Sequence, residues 1–279
     1  MIRRRRATRQ AVLRGGSALV LAFLLATDAK AGGAAPIRIV SANLCADRLV
    51  IDLVPRERIL SVSHFAADPG LSPFSDRAVG LPVNRGDAEE ILALRPDLVV
   101  TGAFASRGAA ALLRRVGVAV HEIPVTADLA AARAAIRDLA RRLDAVARGE
   151  AMIAALEERM DALPRPIAPA RAVSLHAGGW VAGAGSLANA LFARLGFVNA
   201  GAARAGFVQM DVETLLYQAP DLIVVERHGG PAASRMAESM THPALARGPA
   251  RRVEVPARDW ACADEGLAQA AALIAGAGR

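Results

Sequence analysis

Aromatic side chains are scarce in this 279-residue chain, at 4% of residues, with two Trp, one Tyr and seven Phe. An aromatic outside a core position therefore carries extra information. Histidine is also rare, at five, with no His-x-His pair and no His-rich loop, which argues against a receptor for a bare zinc or manganese ion. No Gly-x-Ser-x-Gly elbow, Walker loop or Gly-x-Gly-x-x-Gly pattern occurs, so the common marks of hydrolases, P-loop nucleotidases and dinucleotide-binding enzymes are missing. The net charge of +7 is not spread over the chain. Residues 1–31 hold Arg3, Arg4, Arg5, Arg6, Arg9, Arg14 and Lys30 against Asp28, a local +6 that leaves about +1 for the rest. A binder that tracks a phosphate backbone needs a basic face on its folded part, so nucleic acid is excluded as a partner.

What is present fits an exported, well-packed protein. Apolar residues make up 53% and charged ones 22%, ample for a core, and the length suits one large domain or two ordinary lobes. Met1–Arg14 is an arginine-rich leader, Gly15–Ala26 an apolar run, and Ala29-Lys-Ala31 a small-x-small cleavage pattern. The run is well short of the roughly 20 residues that span a bilayer. Residues 1–31 thus read as a signal peptide, with a soluble, monomeric mature chain beginning near Gly32 and working in the periplasm. The leader does not decide between the general and the twin-arginine export routes.

From Pro36 onward short apolar runs alternate with helical spacing. Strands are expected at Ile37–Ser41, Ile59–Ser63, Leu98–Thr101 and Val118–Ile123, and helices at Ala46–Val54, Asp87–Arg95 and Ser106–Val116. Asp87 and Glu90 are spaced as a capping box. Helical spacing dominates Asp128–Leu163, with Gly149 expected near a break or the start of a second segment, and Pro164, Pro166 and Pro169 end it. Alternation resumes at Ala172. The fold expected is α/β: two pseudo-symmetric lobes with central parallel sheets, 32–126 and 166–279, joined by a helical connector over 127–165.

The pseudo-symmetry rests on an internal repeat. Asp87-Ala-Glu-Glu-Ile-Leu-Ala-Leu-Arg-Pro-Asp-Leu-Val-Val100 recurs, 124 residues on and without a gap, as Asp211-Val-Glu-Thr-Leu-Leu-Tyr-Gln-Ala-Pro-Asp-Leu-Ile-Val224. Duplicated α/β halves leave a cleft between them, a natural place to grip a ligand.

With Arg38–Asp47, the strand leading into His64, both repeat copies, Gly183–Asn189 and Asp259-Trp260, residues 36–276 resemble the periplasmic substrate-binding proteins of ABC importers. Within these the likeness is to the iron-siderophore and vitamin B12 group. The resemblance implies a non-catalytic receptor for a metal chelate, a corrinoid or a ferric siderophore, with no resident cofactor. It implies a permease and its ATPase as partners, a stiff connector, and carboxylates on the two lobes that dock on permease arginines, here Glu89 and Glu213. Both would also serve as first-turn acids that offset a helix dipole, and Glu90 as a cap alone.

Cleft candidates follow the carboxyl ends of strands. They are His64 and Phe65 after one strand, and Gly102, Ala103 and Phe104 after another, with Phe65 and Phe104 reading first as core. The repeat offset adds Glu226, Arg227 and His228. Phe207 stands where the B12-binding relatives place an aromatic, and Trp180 and Trp260 follow the first and last strands of the second lobe. His121 and His176 read as structural strand residues, and His242 as a loop residue. Cys45 and Cys262 sit at strand ends of different lobes, and a bridge, two free thiols or metal ligation all fit, a pairing the B12-binding relatives lack. Outside this reading stand a haem receptor and a non-transport cleft protein, such as an enzyme using Cys45 with His64.

Overall fold

A computed structural model describes residues 37–103, 107–227, 240 and 242–278. The leader and the candidates Phe104 and His228 lie outside the described residues. No described helix is long and apolar enough to cross a membrane.

The first lobe is built on a five-stranded sheet in the order β3-β2-β1-β4-β5, with every pairing parallel. Its strands are β1 (Ile39–Ser41), β2 (Ile59–Ser63), β3 (Val83–Asn84), β4 (Leu98–Gly102) and β5 (Ala119–Ile123). Helices α1 (Leu44–Leu53), α2 (Ser75–Ala78), α3 (Ala88–Ala93) and α4 (Arg107–Arg115) connect them. Parallel strands covered on both faces are apolar throughout, and β4 shows why. Leu98 and Val100 pack into the cluster with α1, while Val99 faces the opposite cluster with Ile91 and Leu113.

The second lobe centres on β6 (Ala170–His176), flanked in parallel by β10 (Leu222–Arg227) and β8 (Phe197–Asn199); β11 (Arg251–Pro256) extends the sheet beyond β10. On the same side of β6 as β8, β7 (Trp180–Ala182) pairs antiparallel with β6, and β9 (Phe207–Gln209) antiparallel with β7, so this sheet is mixed where the first is wholly parallel. Helices α7 (Leu187–Leu195), α8 (Val212–Tyr217) and the C-terminal helix Glu265–Ala277 complete it. β10 repeats the two-faced burial of β4, with Leu222 and Val224 on one side and Ile223 and Val225 on the other.

The repeat is a structural lock used twice. In each lobe the residue before Pro-Asp turns left-handed, Arg95 at φ +49° and Ala219 at φ +47°, a conformation that costs a non-glycine residue about 1–2 kcal/mol. The turn is held by the neighbouring strand. Asp97 Oδ2 accepts the Ile37 and Arg38 backbone N–H at 3.0 and 2.9 Å, and Asp221 Oδ2 accepts that of Arg171 at 2.7 Å. The arginine side chains close the helix ends: Arg38 donates to the Arg95 and Leu94 carbonyls, and Arg171 to that of Gln218.

One expectation needs correction, and the break expected near Gly149 is found. The Asp87–Glu90 capping box does not form: Asp87 makes no side-chain cap bond, and Glu90 Oε2 accepts from the Arg85 N–H at 2.8 Å, whereas Asp211 does cap α8 through Thr214 N–H at 2.7 Å. The connector breaks at residues 143–145, with Asp144 at φ +56°, between α5 (Leu129–Arg142) and α6 (Val146–Asp161). Gly149 lies in the first turn of α6, where a Cβ would stand 2.6 Å from that of Ala140. Its job is to let the two helices approach.

Candidate functional site

A cavity of about 410 Å³ lies where the carboxyl ends of both sheets meet the connector. The first lobe supplies Asn43, Cys45 and Leu49 from the cap and body of α1, Gly102 and Ala103 at the end of β4, and Ile123–Ala127 from the end of β5 onward. Residues of α5, among them Ile136, form one side, and the second lobe adds Gly185–Ala188, Phe207 and Trp260–Asp264. Local structure follows from small residues at these strand ends. Asn43 caps α1 by accepting from the Cys45 N–H at 3.0 Å, and Gly102 leaves room for it, since a Cβ there would meet Asn43 Oδ1 at 2.7 Å.

The wall is mostly apolar, and its larger features are Phe207 and Trp260. Phe207 is 53% exposed at the rim. Behind the two rings stands His176, with centroids 5.1 Å from Phe207, nearly edge-on, and 6.1 Å from Trp260. His176 is buried, with Nδ1 3.0 Å from Glu226 Oε2 and Nε2 3.2 Å from Ser174 Oγ. That arrangement props the aromatic wall from within the sheet. Strand periodicity read His176 as structural and gave no hint that its ring backs the cavity; its place at the carboxyl end of β6 was the available signal.

The described lining contains one ionisable side chain, Asp264. Burial pushes its carboxyl up to about 6, and it caps the C-terminal helix by accepting from the Gly266 N–H at 2.8 Å. Asp47 of α1 is likewise raised to about 6 by burial, but it lies outside the lining and accepts from the Ser63 N–H at 2.9 Å. Among the described residues no group of three His, Cys, Asp or Glu could hold a metal ion.

Several expected contacts stand elsewhere. His64 is exposed and stacks on Phe65, with centroids 3.8 Å apart, outside the lining; Phe65 is 41% exposed, not core. Both follow β2, whereas the cavity draws on the chain after β1, β4 and β5 in this lobe. Trp180 opens β7, paired with Gln209 of β9, and is 41% exposed and off the cavity. Arg227 ends β10 near Glu254 at 3.8 Å and also lies off the lining. His242 is no plain loop residue: its Nδ1 accepts the Ala244 N–H at 3.3 Å as a helix cap. Glu89 and Glu213 are exposed in the first turns of α3 and α8, equivalent places on the two lobes and clear of the cavity.

Cys45 and Cys262 are joined, with Cα atoms 5.5 Å apart and 217 positions apart in sequence. The bridge is part of the cavity wall. While it stands there is no thiolate for metal ligation or for a Cys45–His64 enzyme.

Two duplicated α/β lobes, a helical connector and an apolar cavity at facing strand ends define a cleft-type ligand-binding protein. Residues 39–252 match the family described as periplasmic binding protein, and the chain belongs to that family. Solved structures carry the same fold. The periplasmic heme-binding protein RhuT from Roseiflexus sp. RS-1, in apo form, is 25% identical with a TM-score of 0.69, over 86% of this chain and 97% of its own. The periplasmic heme-binding protein HutB of Vibrio cholerae is 19% identical with a TM-score of 0.72, over 86% and 98%. The periplasmic vitamin B12 binding protein BtuF of Vibrio cholerae is 18% identical with a TM-score of 0.64, over 88% and 97%. No curated protein matches the sequence.

Proposed function

We propose that this protein captures a metal chelate of the tetrapyrrole class, a corrinoid or haem, in the periplasm and hands it to an ABC importer, without catalysing a reaction. The observation that carries this is the apolar cavity between the two lobes, walled on one side by Phe207 and Trp260. A flat ring system stacks on such a wall, gaining about 0.5–1.5 kcal/mol per aromatic contact beyond roughly 25 cal/mol per Å² of apolar area buried. Solved structures described as heme-binding and vitamin B12 binding proteins support the same class. The signal sequence supplies export with cleavage after Ala31, and Glu89 and Glu213 offer one carboxylate on each lobe to a permease.

Absorbance titration of the mature protein with haemin, cyanocobalamin and ferric siderophores tests the reading. Binding of haemin or cyanocobalamin, weakened about tenfold by Trp260→Ala, is the expected result, since the loss of one large contact exceeds about 1.4 kcal/mol. Binding of ferric siderophores alone, or of free divalent ions alone, overturns it.

A further inference from the structure

The segment Arg258–Glu265 of the second lobe is tied to the first lobe in three ways. Arg258 Nη1 donates to the Pro69 carbonyl at 2.7 Å. Cys262 is bridged to Cys45. Glu265 Oε2 accepts from Arg48 Nη2 at 2.6 Å, and Arg48 is itself buried and held by Asp52 at 3.0 Å. The other oxygen of Glu265 takes Arg159 of α6 at 2.7 Å, so the first lobe, the connector and the second lobe converge on one carboxylate. The cavity is differently made along Pro124–Ala127 and Phe207. There Val125 is 58% and Phe207 53% exposed, and no tie between the lobes is formed at these residues among the described contacts.

We infer that Arg258–Glu265 is a fixed seam that presets the spacing of the lobes and thereby the size of ligand accepted. Ligand then passes over the Pro124–Ala127 and Phe207 rim. Cys45, Cys262, Arg258 and Glu265 are positioning residues: they set the distance between the walls and need not touch the ligand. A hydrogen bond and an ion pair can open and reform as lobes move, whereas a bridge inside the cavity wall cannot. The preset spacing is therefore strict on the seam side and free on the rim side. The part of this that concerns ligand rests on the proposed function; the spacing itself does not.

The test compares oxidised mature protein with Cys45→Ser/Cys262→Ser by small-angle scattering without ligand. It also follows the dissociation of bound haemin and cyanocobalamin by absorbance. The oxidised protein is expected to give one scattering curve with and without either probe. The double-serine protein is expected to show a larger radius of gyration when empty and to release bound probe about tenfold faster, an effect on off-rate more than on-rate. Wild-type protein reduced with dithiothreitol, which passes two hydrogens to the cysteines and closes to its own disulfide, should reproduce the double-serine curve. Circular dichroism checks that each sample is folded. Arg258→Ala should widen the empty protein further only when the bridge is absent. A folded double-serine or reduced protein whose empty curve superimposes on the oxidised one overturns the seam. Failure of both probes to bind overturns the proposed function instead, while the empty-state scattering still decides the seam.

Discussion

The two lobes share a frame and differ at its ends. Both turn left-handed before Pro-Asp, both tie that turn's own aspartate to backbone N–H groups of the neighbouring strand segment, and both close the helix with an arginine from that segment. Beyond the strands they part. The first lobe offers the cavity small and aliphatic groups such as Leu49, Ile123 and Val125, while the second offers Phe207 and Trp260, and a His176 that backs them. Antiparallel β7 and β9 carry part of that difference, because β9 begins at Phe207, while Trp260 follows β11. The two scaffolds match, and the aromatic wall of the cavity stands on one of them.

Each lobe holds one buried carboxyl raised by burial from 3.8 to about 6, Asp47 in the first and Asp264 in the second. A carboxyl whose folded pKa lies above its unfolded one stabilises the fold most below the unfolded value. That contribution is lost as pH rises through the folded value. Stability to urea should therefore fall as pH rises from 3.8 to about 6, by about 3 kcal/mol per group at two units of difference. Asp47→Asn and Asp264→Asn should each flatten part of that slope. Equal slopes in wild type and both variants would break the parallel between the lobes.

The lock itself gives a smaller contrast. Asp97→Ala forfeits two backbone partners and Asp221→Ala one, so urea unfolding should show losses of about 2 and about 1 kcal/mol, both reduced by solvent at these exposed turns. The reverse order would mean that the second copy carries the greater share. Smallest in stability is the proposed docking pair. Glu89→Ala and Glu213→Ala should each cost under about 1 kcal/mol and leave haemin and cyanocobalamin binding unchanged. Each should still lower stimulation of the transporter's ATPase. Lost chelate binding with normal stimulation would remove both residues from the docking surface.

The frame was legible in the sequence because it is local. Period-2 and period-3.6 patterns, turn residues and a gapless repeat are all written in consecutive positions, and Ile59–Ser63 and the paired helix–Pro-Asp–strand units read true to within a residue or two. The capping box failed at Glu90 because Arg85 N–H was the nearer donor, a competition that spacing does not reveal. The site was legible only in part. Strand-end position brought out Phe207 and Trp260, and it brought out His64, Trp180 and Arg227 equally, since it does not say which strand ends face the cavity. His176 was hidden by its burial within a strand. The ties of Arg48 to Glu265 and of Arg258 to Pro69 join residues 217 and 189 positions apart and leave no trace in any local window.

The bridge also changes the chain as a covalent object. From Cys45 to Cys262 the backbone and the disulfide together form a closed ring, and α5 and α6 are an arc of it. The lobes are thus joined by two independent covalent routes, one through the connector and one through sulfur. A single cut in the connector, at the left-handed turn at Asp144 for example, opens the ring without dividing the molecule, and the halves remain one particle until a reductant arrives. In a compartment that holds proteases and maintains disulfides, the receptor outlasts a nick that would split an unbridged relative in two.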